Sequence, residues 1–183
     1  MWTELFVVPP RIGVVFRNAR ETGPVVLVPL AWAFVTAAHL GSVETYTLFV
    51  AHVVMSILLA AFAVTSWREM SEGVLWAWRT VITVGFLVTV AGTVGFRVDS
   101  GSTALFSVAL YGWIGLPAAG FVYTGRRVRE GAWIYFGGAV LCVLGAVGYT
   151  LGVATGTEPA LAASLALVGV GQTAGIADAV YRY

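Results

Sequence analysis

The sequence predicts an all-α protein, an integral membrane bundle of about six transmembrane helices. They are arranged as three out-and-back hairpins with both termini on the cytoplasmic side. Of 183 residues, 59% are hydrophobic and only 10% are charged, whereas a soluble domain carries roughly a quarter charged residues. The apolar residues fall in six runs, at 24–40, 46–67, 80–96, 103–124, 132–152 and 159–181. Each run is close to the roughly 20 residues that a helix needs to cross the hydrocarbon core. Nine of the ten arginines lie in links on one side of these runs, which is the signature of a cytoplasmic face.

Taken in order, residues 1–23 form a cytoplasmic or interfacial segment. Pro9-Pro10 interrupts the apolar start, so the segment does not read as a cleavable signal peptide. From Pro10 to Arg20 the residues fit a short amphipathic helix, with Pro10 in the first turn where its missing N–H costs nothing. Ile12, Val15, Phe16 and Ala19 share one face, away from Arg11, Arg17, Asn18 and Arg20, as a helix lying in the headgroup layer requires. The alternative is an irregular basic tail. The run at 24–40 is the shortest, at 17 residues. All six runs must be helical, because an open strand leaves backbone groups unpaired in lipid, and none shows the strict alternation of a transmembrane barrel. The fourth run contains Gly112, Gly115, Pro117 and Gly120 and is expected to bend, since Pro117 removes one internal hydrogen bond. The fifth and sixth runs carry the small-xxx-small pairs Gly148/Gly152 and Gly171/Gly175, which permit close helix contact within the bundle or between protomers. Six crossings use about 120 residues, leaving no room in this sequence for a further soluble domain.

The links fix the orientation. Arg11, Arg17, Arg20, Arg68, Arg79, Arg126, Arg127, Arg129 and Arg182 fall on one side, against Arg97 on the other beside Glu44, Asp99 and Glu158. Trp67, Trp76, Trp78 and Trp133 gather at the arginine-rich boundary, as an interfacial aromatic belt does. The localisation expected is a cell (cytoplasmic) membrane. A basic set made only of arginine fits a GC-rich prokaryotic genome.

The second and third hairpins read as parallel repeats. Gly92-Thr-Val-Gly95-Phe96, then Ala104-Leu105, Gly115 and Ala118-Ala119 match Gly145-Ala-Val-Gly148-Tyr149, then Ala160-Leu161, Gly171 and Ala174-Gly175. Trp78 and Trp133 precede the two units. This succession of tryptophan, glycines, a small polar turn, Ala-Leu, glycine and arginine resembles the short repeats of the HdeD-like (acid-resistance) six-helix membrane family, over roughly 78–127 and 133–182. The resemblance implies a stress-related inner-membrane role without a defined reaction. The chain departs from the pattern in its amphipathic start and in a first hairpin that carries both histidines. The proline-and-arginine start is also similar to that of Yip-type membrane proteins.

Little chemistry remains. Without lysine there is no amine for a retinal Schiff base. Cys142 stands alone in an apolar run, which excludes an internal disulfide or a paired-cysteine metal site. His39 and His52 differ in depth by about 9–10 Å if the 40–44 link is tight, which disfavours one shared metal or bis-histidine haem and leaves haem-linked electron transfer as a third reading for the histidines alone. Each is expected to hydrogen-bond between helices, with a proton-linked role open to His52. Gln172 is read as an interhelical hydrogen-bonding residue. Asp178 is read as a helix-end ion-pairing group. Trp113 at mid-depth needs a partner for its indole N–H or a water-lined cavity. His52, Trp113, Tyr111 and Gln172 are therefore the residues that would line a cavity or proton-linked path. No nucleotide loop, nucleophile triad, HExxH pair or paired intramembrane carboxylate is present in the sequence. The expected protein is not an enzyme, uses no cofactor or metal and binds no nucleic acid. Its partners are the lipid bilayer and, through Gly148, Gly152, Gly171 and Gly175, a homo-oligomer or other membrane subunits. Its role is accessory, sensory or stress-associated; the alternative is a small-solute or ion/proton permease or channel.

Overall fold

The computed structural model describes residues 10–98, 100 and 102–182, and for 10–22 the backbone alone. Six helices follow one another: α1 Pro10–His39, α2 Thr45–Ser66, α3 Gly73–Gly95, α4 Ser102–Gly125, α5 Ala132–Thr155 and α6 Glu158–Arg182. Among the described residues there is no strand. The helices α2 to α6 are each long and apolar enough to cross a membrane, and the apolar part of α1, Gly23–His39, adds a shorter one. The chain is thus a helical bundle of the multi-pass membrane type.

Glycine ends two of these helices in the same way. After α1, Ser42 N–H reaches Ala37 O at 2.9 Å and Gly41 has φ 71°; after α5, Thr157 N–H reaches Gly152 O at 3.0 Å and Gly156 has φ 66°. In both the left-handed residue lets the chain turn back on the last carbonyls and stop the helix within a few residues. At the other end of the bundle Arg68, Arg126, Arg127, Arg129 and Arg182 gather, with Arg79 on the second turn of α3.

Two helices are longer than the apolar runs suggest. The helix α3 starts at Gly73, seven residues before the expected span, so Trp76, Trp78 and Arg79 stand on its first turns and not in a loop. The helix α1 continues unbroken through Gly23 and Pro24, where the interfacial segment was expected to give way to the crossing. Two prolines, Pro24 and Pro29, lie inside it; each removes one backbone bond without ending the helix. The two faces expected for residues 10–20 lie outside the described side chains.

Packing does not follow sequence adjacency throughout. The pairs α3–α4 and α5–α6 are packed hairpins, and α4 also lies against α5 and, over a smaller area, α6. The first pair alternates direction like the others, yet α1 packs on α6 and α2 packs on α3, with no comparable interface between α1 and α2. The core cluster comes from α1, α4, α5 and α6: Trp32, Ile114, Phe121, Tyr135, Cys142, Leu165 and Val168 among its members. The most apolar stretch of α2 contributes no buried residue. A stretch with mean hydropathy 2.4 and no fully buried residue has lipid as its natural solvent.

Candidate functional site: a polar seam at mid-bundle

Proline sets up the centre of this bundle. In a regular helix the N–H of residue 117 would bond the carbonyl of Trp113; Pro117 has no N–H, so that carbonyl is orphaned in an apolar interior. Gln172 on α6 supplies the missing donor, its Nε2 lying 2.8 Å from Trp113 O. The other end of the same amide accepts from Trp32 on α1, Nε1 to Oε1 at 3.0 Å. With 3% of its surface exposed, Gln172 would be costly to bury unbonded, on the order of 1–3 kcal/mol per unpaired group. Both ends are bonded.

The seam continues across α4. The Trp113 indole N–H donates to Thr89 Oγ1 on α3 at 2.8 Å, and Thr89 donates in turn to Gly85 O, also at 2.8 Å. A second pair mirrors it towards the arginine-rich end: Trp78 on α3 donates to Thr124 Oγ1 on α4 at 3.1 Å, and Thr124 donates to Gly120 O at 2.8 Å. Each indole lies over the partner helix's glycine. A Cβ on Gly85 would stand 2.8 Å from the Trp113 ring, and one on Gly120 would stand 3.5 Å from the Trp78 ring.

The sequence carries this reciprocity as W-x6-G-x3-T, once as Trp78, Gly85, Thr89 and once as Trp113, Gly120, Thr124. Offsets of 7 and 11 residues return to within about 20° of the same helix face. Two antiparallel copies can therefore clasp each other. The parallel-repeat reading passed over this signal because it compared successive hairpins and not the two arms of one.

The four residues expected to line a cavity are divided among three places. Trp113 and Gln172 meet directly in the seam. Tyr111 is 39% exposed and points away from them; its hydroxyl shares a 2.7 Å hydrogen bond with Thr150 on α5. Its ring meets Tyr149 edge-on, with centroids 5.9 Å apart, and Tyr149 meets His39 at 5.3 Å. His39 Nδ1 lies 2.8 Å from Val35 O, which can only accept, so the neutral ring holds its proton there and Nε2 accepts the Tyr149 hydroxyl at 3.0 Å. This places His39 between α1 and α5.

His52 occupies the third place, between α2 and α3. Its Nδ1 likewise donates to Leu48 O at 2.9 Å, and its ring lies edge-on to Phe96 at 5.2 Å. Phe106 and Phe49 extend this aromatic cluster, and the Arg97 guanidinium caps Phe49 at 4.3 Å. No group of three or more metal-ligating side chains occurs among the described residues.

The remaining candidates are taken up inside the chain. Gly148 lies against Ser164, Gly152 against Leu161, Gly171 against Gly138 and Gly175 against Phe121. These glycines serve the α5–α6 and α4–α6 contacts, so the face offered to another protomer through them is already occupied. Asp178 accepts from Arg182 Nε one turn on, and Arg182 also lies 3.8 Å from Glu130. Arg79 donates to Trp67 O at 3.1 Å with its guanidinium 4.4 Å above the Trp67 ring.

Chemically the seam is a fastener. A proton relay needs groups that accept and donate at the same atom, and an indole N–H only donates. The three indoles, of Trp32, Trp78 and Trp113, therefore end any relay that reaches them. Compared with family models, curated proteins and solved structures, the chain matches none.

Proposed function

We propose that this chain is a non-catalytic accessory or sensory protein of the cytoplasmic membrane, acting as one packed helical body and not as a conduit. The observation that carries this reading is the seam. At mid-depth, where a pathway would place ionisable or solvated groups, Trp32, Gln172, Trp113 and Thr89 are bonded to one another across α1, α6, α4 and α3. The resemblance to HdeD-like short-repeat proteins agrees with a stress-associated role.

The proposed orientation has the arginine-rich end in the cytoplasm, supported by the positive charge gathered there and by its neighbouring Trp67, Trp76 and Trp133, all exposed. Flux assays on reconstituted vesicles test the function: proton and small-solute movement should match empty vesicles. Flux that His52→Ala abolishes would replace this reading with a permease. Cysteine labelling in a Cys142→Ala background tests the orientation. A cysteine at Ser42 or Ser100 should react from outside and one at Ser71 from inside; the reverse pattern inverts the protein.

A further inference from the structure

We propose that the link between α4 and α5 is a binding site for an anionic phospholipid, whose acyl chain lies along α5. Arg126, Arg127 and Arg129 fall within four residues, and all three are exposed. Of the other described arginines at this end, Arg79 is held by Trp67 and Arg182 by Asp178 and Glu130, while Arg68 lies on the separate link between α2 and α3. Glu130 lies in the link itself and Asp178 lies against Gly131, and both turn to Arg182. The trio itself has no carboxylate within ion-pairing distance among the described residues. Three unit charges therefore face outward without compensation.

One of them is oriented. The Arg127 guanidinium lies over Tyr123 with its centre 3.5 Å from the ring, which holds its position, and no hydrogen bond or ion pair takes up its N–H groups among the described residues. A phosphate diester takes such an edge in paired hydrogen bonds.

The apolar half of the site begins one turn away. Trp133 is 76% exposed, a position suited to the headgroup boundary. Beyond it Val140, Leu144, Val147 and Leu151 are each more than half exposed, and their spacing of 4, 3 and 4 residues puts them on one stripe. Gly137 leaves an open notch between Trp133 and that stripe, with nothing within 4 Å of its would-be Cβ. From Trp133 to Leu144 the helix rises about 16 Å, about half of the roughly 30 Å hydrocarbon thickness and so the depth of one leaflet's acyl chains. Cationic head site, interfacial indole and apolar track are in the order in which a phospholipid presents its parts. The occupant is thus an anionic lipid and not a free anion.

The test is lipid retention by the full chain in neutral detergent, read by native mass spectrometry with phosphatidylglycerol, phosphatidylcholine and inorganic phosphate as probes. Phosphatidylglycerol should be retained over phosphatidylcholine, and added salt should weaken it. Millimolar inorganic phosphate should not displace it. Retention should fall roughly fivefold per arginine removed in Arg126→Gln and Arg129→Gln, and further in the triple variant with Arg127→Gln. Arg97→Gln, at the opposite end, should leave it unchanged. Equal retention of both lipids, an unaffected Arg126→Gln/Arg129→Gln variant, or displacement by inorganic phosphate would each overturn the proposal. The single variants and the salt titration decide it even if the triple variant fails to insert. The inference shares only the membrane placement with the accessory reading, so flux through the protein would sink that reading and leave the lipid result standing.

Discussion

The α3–α4 and α5–α6 hairpins have nearly equal helix lengths and the same glycine punctuation, yet they are closed by opposite means. The first is clasped by side chains: two tryptophans reach across, each onto the other helix's glycine and threonine. The second is closed by backbone. A Cβ on Gly138 would stand 2.7 Å from Gly171 O, and one on Gly171 would stand 2.8 Å from Gly138 O. Positions paired by the apparent repeat differ accordingly. Gly171 faces backbone whereas Gly115 faces open space, and Trp78 is hydrogen-bonded and half-buried whereas Trp133 is mostly exposed. In lipid, where apolar side chains gain nothing by leaving the solvent, helices associate through close approach or through interhelical polar bonds. This chain uses one solution in each hairpin.

That contrast can be broken most forcefully at the backbone seam. Gly171→Ala should separate α5 from α6 and destabilise the protein by about 2–3 kcal/mol, measured by reversible unfolding in mixed micelles; a neutral result would show that backbone approach is not what closes this hairpin. Next in size is Gln172→Leu, which strands the Trp113 carbonyl and the Trp32 indole and should cost about 2 kcal/mol. Adding Pro117→Ala returns an N–H to that carbonyl, so the double variant should recover part of the loss. A double-mutant cycle with no coupling between the two sites would refute the link between the proline and the glutamine. Thr89→Val and Thr124→Val should each cost about 0.5–1 kcal/mol by unpairing one indole, with Thr89 the larger because its bond is the shorter, 2.8 Å against 3.1 Å. Smallest of all, Gly115→Ala should be neutral or slightly stabilising, by a few tenths of a kcal/mol, because nothing lies within 4 Å of it and alanine favours helix. A large loss at Gly115 would mean that an unseen surface covers it.

Much of the architecture was legible from hydropathy alone. The runs at 46–67, 103–124, 132–152 and 159–181 end within three residues of α2, α4, α5 and α6. The start of α3 was missed because Trp76, Trp78 and Arg79 belong to a boundary, where a helix continues after its apolar run has ended. The helix α1 runs on through Gly23 and Pro24 because a helix can lose one backbone bond and carry on. In the seam, the deficit was visible and its remedy was not. Pro117 announces an orphaned carbonyl at Trp113, but which residue answers it depends on how α6 lies against α4. Tyr111 could have been separated from Trp113 at once, since two residues on a helix differ by about 200° in direction. The reciprocal W-x6-G-x3-T was legible too, to a reader comparing helix faces and not successive hairpins.

The partnership of α1 with α6 has a consequence for biosynthesis. During translation α1 is made well before α6, and the four intervening helices enter the membrane while α1 still lacks the surface it packs on. Until Gln172 arrives, the Trp32 indole has no acceptor on that surface. The last helix in this order therefore completes the first, and a nascent chain stopped short of α6 would present an unfinished α1 to whatever quality control surveys the bilayer.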